Sequence, residues 1–143
     1  MIPRLTIEES RARWNPVLLA IALWREARGT GEAGMTAVGF SILTRVENPT
    51  WWGHTLVEVL GKKWQYSSMA APGDPQLLFW PDDADESWRL AIAVADAVLA
   101  KSVENPVPGA DSYFDDSINP PKWASPDRLV AKVGRLNFYR VRG

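Results

Sequence analysis

Residues 15–34 read NPVLLAIALWREARGTGEAG, and the prediction for the whole chain starts from this segment. Asn15 followed by Pro16 predicts the start of a helix, because asparagine accepts free main-chain N–H groups at an N-cap and proline is tolerated at the first helical position. An unbroken apolar run then extends from Val17 to Trp24, which predicts a helix buried on nearly all sides. Gly29 is placed to end this helix in a left-handed conformation.

Glu26 is the carboxylate at the end of this apolar helix. Helical spacing puts it on the same face as Leu19 and Leu23, at the edge of the expected core. Burial and the negative end of the helix dipole both disfavour its ionised form, so we expect its pKa to be raised. A carboxyl group of this kind can act as a general acid near neutral pH. The alternative is a structural ion pair with Arg25, Arg28 or another arginine, which would also perturb the carboxylate.

The composition bounds the class of protein. A chain of 143 residues is long enough for one domain with a real core. Its net charge of −1 leaves no electrostatic footprint for nucleic acid or an anionic membrane. Cysteine is absent, which excludes disulfides and thiolate metal sites. The single histidine, His54 in a Trp-Trp-Gly-His loop, is expected at the surface or in packing, and no metal or other cofactor is expected.

Three further helices are predicted. Residues 32–47 carry an apolar stripe at helical spacing, and a capping box at Thr55 begins a short helix. One of the aspartates in residues 82–85 caps a fourth helix, SWRLAIAVADAVLAK. The intervening residues 62–81 lack regular periodicity, and an irregular segment of this length is more often functional than not.

The C-terminal third has the pattern of strands. Residues 111–114 are a strand candidate, and residues 129–133 and 137–141 predict a hairpin turned around Gly134-Arg135. Four helices with a small C-terminal β-hairpin portion give an α+β, predominantly helical domain of lysozyme-like size.

Five segments, spread over Val17 to Val141, resemble motifs of the SleB-type cell-wall hydrolases in the same order. In chain order they are WREARGTGEAGMTAVGFSILTRV from Trp24, QYS from Gln65, GA with Tyr113, PPKW from Pro120 and NFYR from Asn137. The match departs from the family at two positions. The family's second glutamate is Thr30 here, with Glu32 two places on, and the asparagine before Arg-Val is Thr44. The departures bear on any second carboxylate and leave Glu26 in place.

The resemblance implies an enzyme that cuts peptidoglycan between N-acetylmuramic acid and N-acetylglucosamine. It favours a lytic transglycosylase, in which one carboxyl suffices because the muramyl C6 hydroxyl closes onto C1 and yields a 1,6-anhydro sugar. Glu26 would act first as acid and then as base. Two alternatives stay open: a non-catalytic glycan-binding or virion structural module, and a two-carboxylate hydrolase that uses one of Asp111, Asp115, Asp116 or Glu32.

Six residues are predicted to bind substrate: Gln65, Tyr66, Ser67, Tyr113, Trp123 and Tyr139. We expect Tyr113 and Ser67 to hydrogen-bond the glycan or Glu26, and Gln65 to bind an N-acetyl or hydroxyl group. Trp123 and Trp64 lie in predicted loops, where an aromatic face can stack on a sugar ring. Loop packing is the alternative for each. Trp24 and Trp88 are expected in the core.

Residues 1–143 are predicted to form a single catalytic domain, with residues 1–14 as an N-terminal extension. That extension lacks the apolar segment of a signal peptide, and no apolar run reaches the ~20 residues that cross a bilayer. The sequence therefore predicts a protein made soluble in the cytoplasm that acts on the cell wall after release. A phage lysis setting, with a separate holin-like membrane protein as partner, is the expected context, unless a leader precedes this sequence.

Overall fold

The computed structural model describes residues 1–62 and 65–142, and three helices form its centre. They are α1 (Ile7–Ala27), α2 (Gly31–Glu47) and α5 (Glu86–Ala100), and each packs against the other two. Small residues let them approach closely: a Cβ added at Gly39 of α2 would lie 3.1 Å from Val98 of α5. Trp24 belongs to this core, as predicted, whereas Trp88 is partly buried and packs against it.

The remaining elements are short. In chain order they are a 3₁₀ turn (Arg28–Thr30), α3 (Leu56–Gly61), α4 (Ser67–Ala70), a 3₁₀ turn (Pro75–Leu78), β1 (Ser112–Asp115), a 3₁₀ turn (Pro126–Arg128), β2 (Leu129–Val133) and β3 (Leu136–Tyr139). The four predicted helices are all present, and α4 is a single turn within the segment expected to be irregular. The α+β, predominantly helical architecture predicted from the sequence is confirmed.

The predicted start of α1 at Asn15 is wrong, because the helix begins at Ile7 and Pro16 lies inside it. Thr6 is the N-cap, and its hydroxyl accepts a hydrogen bond from the Glu9 N–H at 3.1 Å. The acidic first turn also complements the helix dipole. Thr6 and Glu9 have the spacing of a capping box, a stronger start signal than Asn15-Pro16. Residues 1–14 therefore include the exposed first turns of α1.

The predicted end of α1 at a left-handed Gly29 is also wrong. The positive φ, 72°, belongs to Gly31, after the 3₁₀ turn that links α1 to α2. Thr30 stabilises this link, because its hydroxyl donates to the Ala27 carbonyl at 2.6 Å. A Cβ at Gly34 would come within 2.0 Å of Thr30 Oγ1, so Gly34 leaves room for the threonine. Thr30, in place of a second glutamate, is thus used for the turn.

Burial along α1 is nearly complete only from Leu19 onwards. Leu19 and Leu23 are at most 1% exposed, whereas Val17 remains 47% exposed. Glu26 therefore follows a helical segment that is embedded in the core. None of the helices within residues 1–62 and 65–142 is long and apolar enough to cross a membrane.

A three-stranded antiparallel sheet, in the order β1-β3-β2, packs on α2. The predicted hairpin is present as β2 and β3, turned at Gly134 with φ 56°. Strand β3 ends at Tyr139, before the predicted Val141, and β1 pairs with its other edge. Phe138 on this central strand is fully buried and anchors the sheet to the helical core.

Candidate active site

A cleft of about 680 Å³ opens where α1, α2, α4 and β1 meet. Glu26, on the last turn of α1, lines this cleft and is partly buried. The other cleft-lining residues come from α2, α4, β1, the loops and the C-terminal residues: Arg45, Trp51, Trp52, Gln65, Tyr66, Ser67, Ser112, Tyr113, Ile118, Trp123, Val141 and Arg142. Glu26 is the one carboxyl group among these described lining residues.

Burial raises the pKa of Glu26, as predicted, and it is the largest influence on this group. The Ser68 hydroxyl lowers the pKa of Glu26, and the nearby Asp74 carboxylate raises it. Ser68 Oγ is buried, and no hydrogen bond joins it to another described residue. Its hydroxyl proton is therefore available, and its interaction with the ionised carboxyl is what lowers the pKa of Glu26.

The alternative of a structural ion pair does not describe Glu26. No ion pair within residues 1–62 and 65–142 involves it. Arg25 donates instead to the carbonyls of Ser68 and Phe79, both at 3.2 Å, and lies 4.8 Å from the Trp80 ring. Arg28 donates to the Trp24 carbonyl. Both arginines thus fix main chain around the site.

Replacing Glu26 by glutamine is expected to stabilise the fold at neutral pH. Because the folded pKa lies above the ordinary 4.5, wild-type stability falls as the pH rises from about that value through the folded pKa. The loss is about 1.4 kcal/mol for each unit of pKa difference. Glutamine cannot ionise, so the variant should gain on wild type only above about pH 4.5. Urea unfolding at about pH 4 and about pH 7.5 measures this. An equal difference at both pH values would contradict it.

Asp74 is a carboxylate near the site that the sequence did not single out. Its Oδ2 accepts a hydrogen bond from Ser67 Oγ at 2.7 Å, and its Oδ1 accepts the Gln76 N–H at 2.8 Å. These bonds, with the Arg25 charge, lower the pKa of Asp74. The pKa values of Glu26 and Asp74 are therefore moved in opposite directions, as in sites that pair a proton donor with an ionised carboxylate.

Removing the Asp74 charge is expected to lower the pKa of Glu26, because a neighbouring negative charge disfavours a second ionisation. In Asp74→Asn the alkaline limb of the pH–activity profile should move to lower pH, since the protonated form of Glu26 is lost sooner. Asp82→Asn is the matched control, because Asp82 caps the exposed Ala84 N–H away from the cleft. An unchanged alkaline limb in Asp74→Asn would show that the two carboxyl groups are not coupled.

Arg45 of α2 joins the two sides of the cleft. Its Nε donates to the Asp111 carbonyl at 2.6 Å, and its Nη1 donates to Gln65 Oε1. The guanidinium also lies 4.9 Å from the Trp52 ring centre and 5.3 Å from that of Tyr66. Arg45 belongs to the Arg-Val pair of the second helix, and no local pattern predicts that its side chain lines the same cleft as Glu26.

Gln65 lines the cleft, but its amide is used within the protein. Its Nε2 donates to the carbonyls of Trp52 at 3.0 Å and Val59 at 2.8 Å, and its Oε1 accepts from Arg45. The side chain thus fixes the Trp52 loop to Arg45. Ser67 also lines the cleft, with its hydroxyl directed to Asp74.

Tyr66 and Tyr113 line the cleft together, and both have raised pKa values. Burial is the largest cause in each case; the pKa of Tyr66 rises to about 12, with Arg45 lowering it in part. Burial and then the Glu26 charge raise the pKa of Tyr113. Both phenols therefore stay protonated, and neither hydroxyl hydrogen-bonds another described residue. They are free to donate to a bound molecule.

Trp123 and Tyr139 differ in whether they line the cleft. Trp123 lines the cleft, whereas Tyr139, 8% exposed, lies outside the set of described lining residues. The two rings meet edge to face with centroids 5.7 Å apart, and Phe114 stacks on Tyr139 at the same distance. Tyr139 therefore supports the position of Trp123. Trp64, the other predicted stacking residue, lies outside the described residues.

The four candidates for a second carboxylate all lie away from the described cleft surface. Asp111 is fully buried and paired with Arg142 at 2.9 Å. Asp115 and Asp116 form surface ion pairs with Arg135 and Lys132. Glu32 is exposed near the start of α2.

His54 is exposed, as predicted. Within the described ranges there is no group of three or more histidine, aspartate or glutamate side chains that could hold a metal ion.

Fold and site together define a small α+β enzyme domain whose cleft is lined by aromatic and arginine side chains, with Glu26 as the one carboxyl group among the described lining residues. The sequence profile of the cell wall hydrolase family matches residues 29–139, and the chain belongs to this family. It is therefore a peptidoglycan-acting enzyme. The matched range begins after Glu26, so the assignment of this residue depends on the geometry of the cleft.

The fold is similar to that of the catalytic domain of the Bacillus cereus SleB protein, known from a crystal structure. The TM-score is 0.63 at 21% sequence identity, and the alignment covers 96% of this chain and 94% of that chain. A similarity at this level of identity shows the fold. A comparison with curated proteins gave no match.

Proposed function

We propose that this enzyme is a lytic transglycosylase that cleaves the bond between N-acetylmuramic acid and N-acetylglucosamine in peptidoglycan, with Glu26 as general acid and then general base. The observation that carries the proposal is the carboxyl group of Glu26, whose pKa is raised by burial and which faces a cleft of about 680 Å³. A glycan strand needs a proton on the leaving oxygen when the glycosidic bond breaks. In this proposal Glu26 supplies it.

The reaction balances without water. Glu26 gives its proton to the glycosidic oxygen, the bond from that oxygen to muramyl C1 breaks, and positive charge develops at C1. The C6 hydroxyl of the same sugar then bonds to C1, and the Glu26 carboxylate accepts the hydroxyl proton. The products are a 1,6-anhydromuramyl end and a free N-acetylglucosamine end, and Glu26 is protonated again.

The roles of the other cleft residues follow from the polar groups and ring faces that other described residues do not engage. Tyr66 and Tyr113 keep their protons and offer hydroxyl groups to sugar oxygens, while Trp123 offers an aromatic face to a sugar ring. We assign Gln65 to holding Arg45 in place, because its amide already bonds three protein groups. Ser67 holds Asp74.

A two-carboxylate hydrolase is a second candidate. The presence of a second carboxylate, Asp74, close to the cleft favours it. Its lowered pKa keeps it ionised beside Glu26, and it reaches the cleft through the hydrogen bond from Ser67. Such a residue could orient water toward C1 from the side of α4. Asp74 is not among the described residues that line the cleft, which makes direct closure by the C6 hydroxyl the first choice.

Mass spectrometry of the released fragments tests the proposal. Intact and peptide-stripped peptidoglycan are incubated with wild type and with Glu26→Gln, in equal amounts. Fragments one water lighter than reducing muropeptides, formed by wild type alone, are the expected result. Reducing fragments would contradict the transglycosylase course and direct attention to Asp74. Binding of glycan without any cleavage by wild type would indicate a non-catalytic module.

Release through a separate holin-like membrane protein in a phage lysis system stays a prediction from the sequence. Induction of this protein in a bacterium, with and without a co-expressed holin, tests it. Lysis that requires the holin is expected, and equally rapid lysis without it would contradict the prediction.

A further inference from the structure

We propose that Arg45 and Arg142 form a subsite for a carboxylate carried by the glycan strand. The inference rests on the proposed function and adds a substrate class to it: anionic muramyl glycans are preferred over neutral glycans. Both arginines line the same cleft as Glu26. Both also contact Asp111, Arg45 through the main-chain carbonyl and Arg142 through the carboxylate, so the two side chains flank one residue.

The carboxylate of Asp111 cannot act as the counter-ion of both arginines. Its side chain is fully buried and already accepts four hydrogen bonds, which come from Ser112 Oγ, the Val141 N–H, the Arg142 N–H and Arg142 Nη1. One negative charge therefore stands against two positive charges. The described part of this cleft wall keeps a net positive charge.

The Arg142 guanidinium has N–H groups that no described residue uses. Its Nη1 is used by the Gly109 carbonyl at 3.0 Å and by Asp111 at 2.9 Å. Its Nε and Nη2 make no hydrogen bond to another described residue, and its side chain is 15% exposed, toward a cleft that it lines. A guanidinium in this state can donate further N–H groups in a planar fork, the arrangement that suits a carboxylate.

Arg45 has no carboxylate within 4 Å among the described residues. Its charge is supported by neutral groups: the Asp111 carbonyl, the Gln65 amide, the Ser112 hydroxyl at 3.3 Å and the rings of Trp52 and Tyr66. Three of its five N–H groups are used, which leaves two. A partly buried cation without an anion binds an incoming carboxylate more strongly than an exposed one does, because water screens it less.

Peptidoglycan offers this chemistry in two places. A muramyl residue without peptide carries a lactyl carboxylate, whereas a peptide-bearing residue carries its carboxylates on the stem peptide. Neutral chitin-type glycans carry none. The shared chemistry is a carboxylate on the muramyl residue whose glycosidic oxygen Glu26 would protonate.

Binding of matched glycans to the Glu26→Gln protein, which leaves them uncut, tests the subsite. The ligands are peptide-stripped glycan with free lactyl carboxylates, the same glycan with those groups converted to methylamides, and peptide-bearing glycan. We expect the free carboxylate form to bind at least about tenfold more tightly than the methylamide, with a difference that shrinks as salt is added. Tight binding of peptide-bearing glycan would identify the stem peptide as a second source of the carboxylate, and weak binding would identify the lactyl group.

Arg142→Lys gives an independent readout without removing the charge that pairs with Asp111. It is expected to lower the preference for free carboxylate over methylamide, because lysine lacks the planar fork. Arg135→Lys is the matched control, since Arg135 forms an exposed pair with Asp115 at 2.7 Å and is expected to keep the full preference.

Equal affinity for all three glycans, with cleavage by wild type intact, would overturn the carboxylate subsite and leave the proposed function standing. If wild type cuts none of them and the Glu26→Gln protein binds none, both fail together.

Discussion

Glu26→Gln is expected to lower the rate of peptidoglycan cleavage by about 10²- to 10⁴-fold, the usual contribution of a general acid. Glutamine keeps the size and hydrogen-bonding character of the side chain but has no proton to give. The partly buried position of Glu26 makes replacement by a solvent proton ineffective. Release of soluble fragments from purified peptidoglycan, measured at several enzyme concentrations, gives the rate.

Glu32→Gln is the matched control, because Glu32 is exposed and close in sequence. Its activity should equal that of wild type. An equal loss in both variants would restore the shifted glutamate as a candidate for catalysis. Retention of most activity in Glu26→Gln would remove Glu26 from the mechanism.

Asp111→Ala is expected to reduce the free energy of unfolding by about 3–5 kcal/mol, the range for breaking a buried charge pair by removal of one partner. The fully buried carboxylate accepts four hydrogen bonds and ties the C-terminal residues Val141 and Arg142 to the start of β1. Its loss leaves these donors unpaired below the cleft. Urea unfolding monitored by tryptophan fluorescence measures the change.

Asp116→Ala tests whether burial is the cause. Asp116 also pairs with a basic residue, Lys132, but both side chains are about half exposed. An exposed pair contributes about 0–1 kcal/mol, so this variant should be close to wild type. Similar decreases in the free energy of unfolding in the two variants would show that the buried network around Asp111 stabilises the fold no more than an exposed ion pair does.

The sequence predicted the features that depend on neighbouring residues. The buried second half of α1 follows from its apolar run, and the helix starts at Thr55 and Asp85 follow from side chains that cap N–H groups within the next turn. Thr6 carries the same kind of local signal, but the start was predicted at Asn15-Pro16, and Pro16 lies half-buried inside α1. The position of Glu26 at the edge of the core required only helical spacing.

The surroundings of Glu26 could not be predicted because they come from distant parts of the chain. Arg45 reaches Asp111 from another element of the fold, and Asp74 affects Glu26 from a turn in the segment without periodicity. Gln65 was predicted to bind substrate, but its amide groups meet main-chain carbonyls whose positions no local pattern gives. These contacts between residues distant in sequence are determined by tertiary packing.

The departure at Thr30 has a physical account in the structure. The hydroxyl of Thr30 closes the turn after α1, over the space that Gly34 leaves free. A carboxylate that the family pattern places there is therefore replaced by a turn-stabilising group. Chemistry centred on Glu26 is consistent with this arrangement.

We expect the cleft to raise the pKa of Glu26, which favours the protonated form that a general acid needs. Nuclear magnetic resonance of the Glu26 side-chain carboxyl carbon, assigned by comparison with Glu26→Gln and followed as a function of pH, tests it most directly. A pKa above the ordinary value of 4.5 is expected for this residue. A titration at or below that value would contradict it.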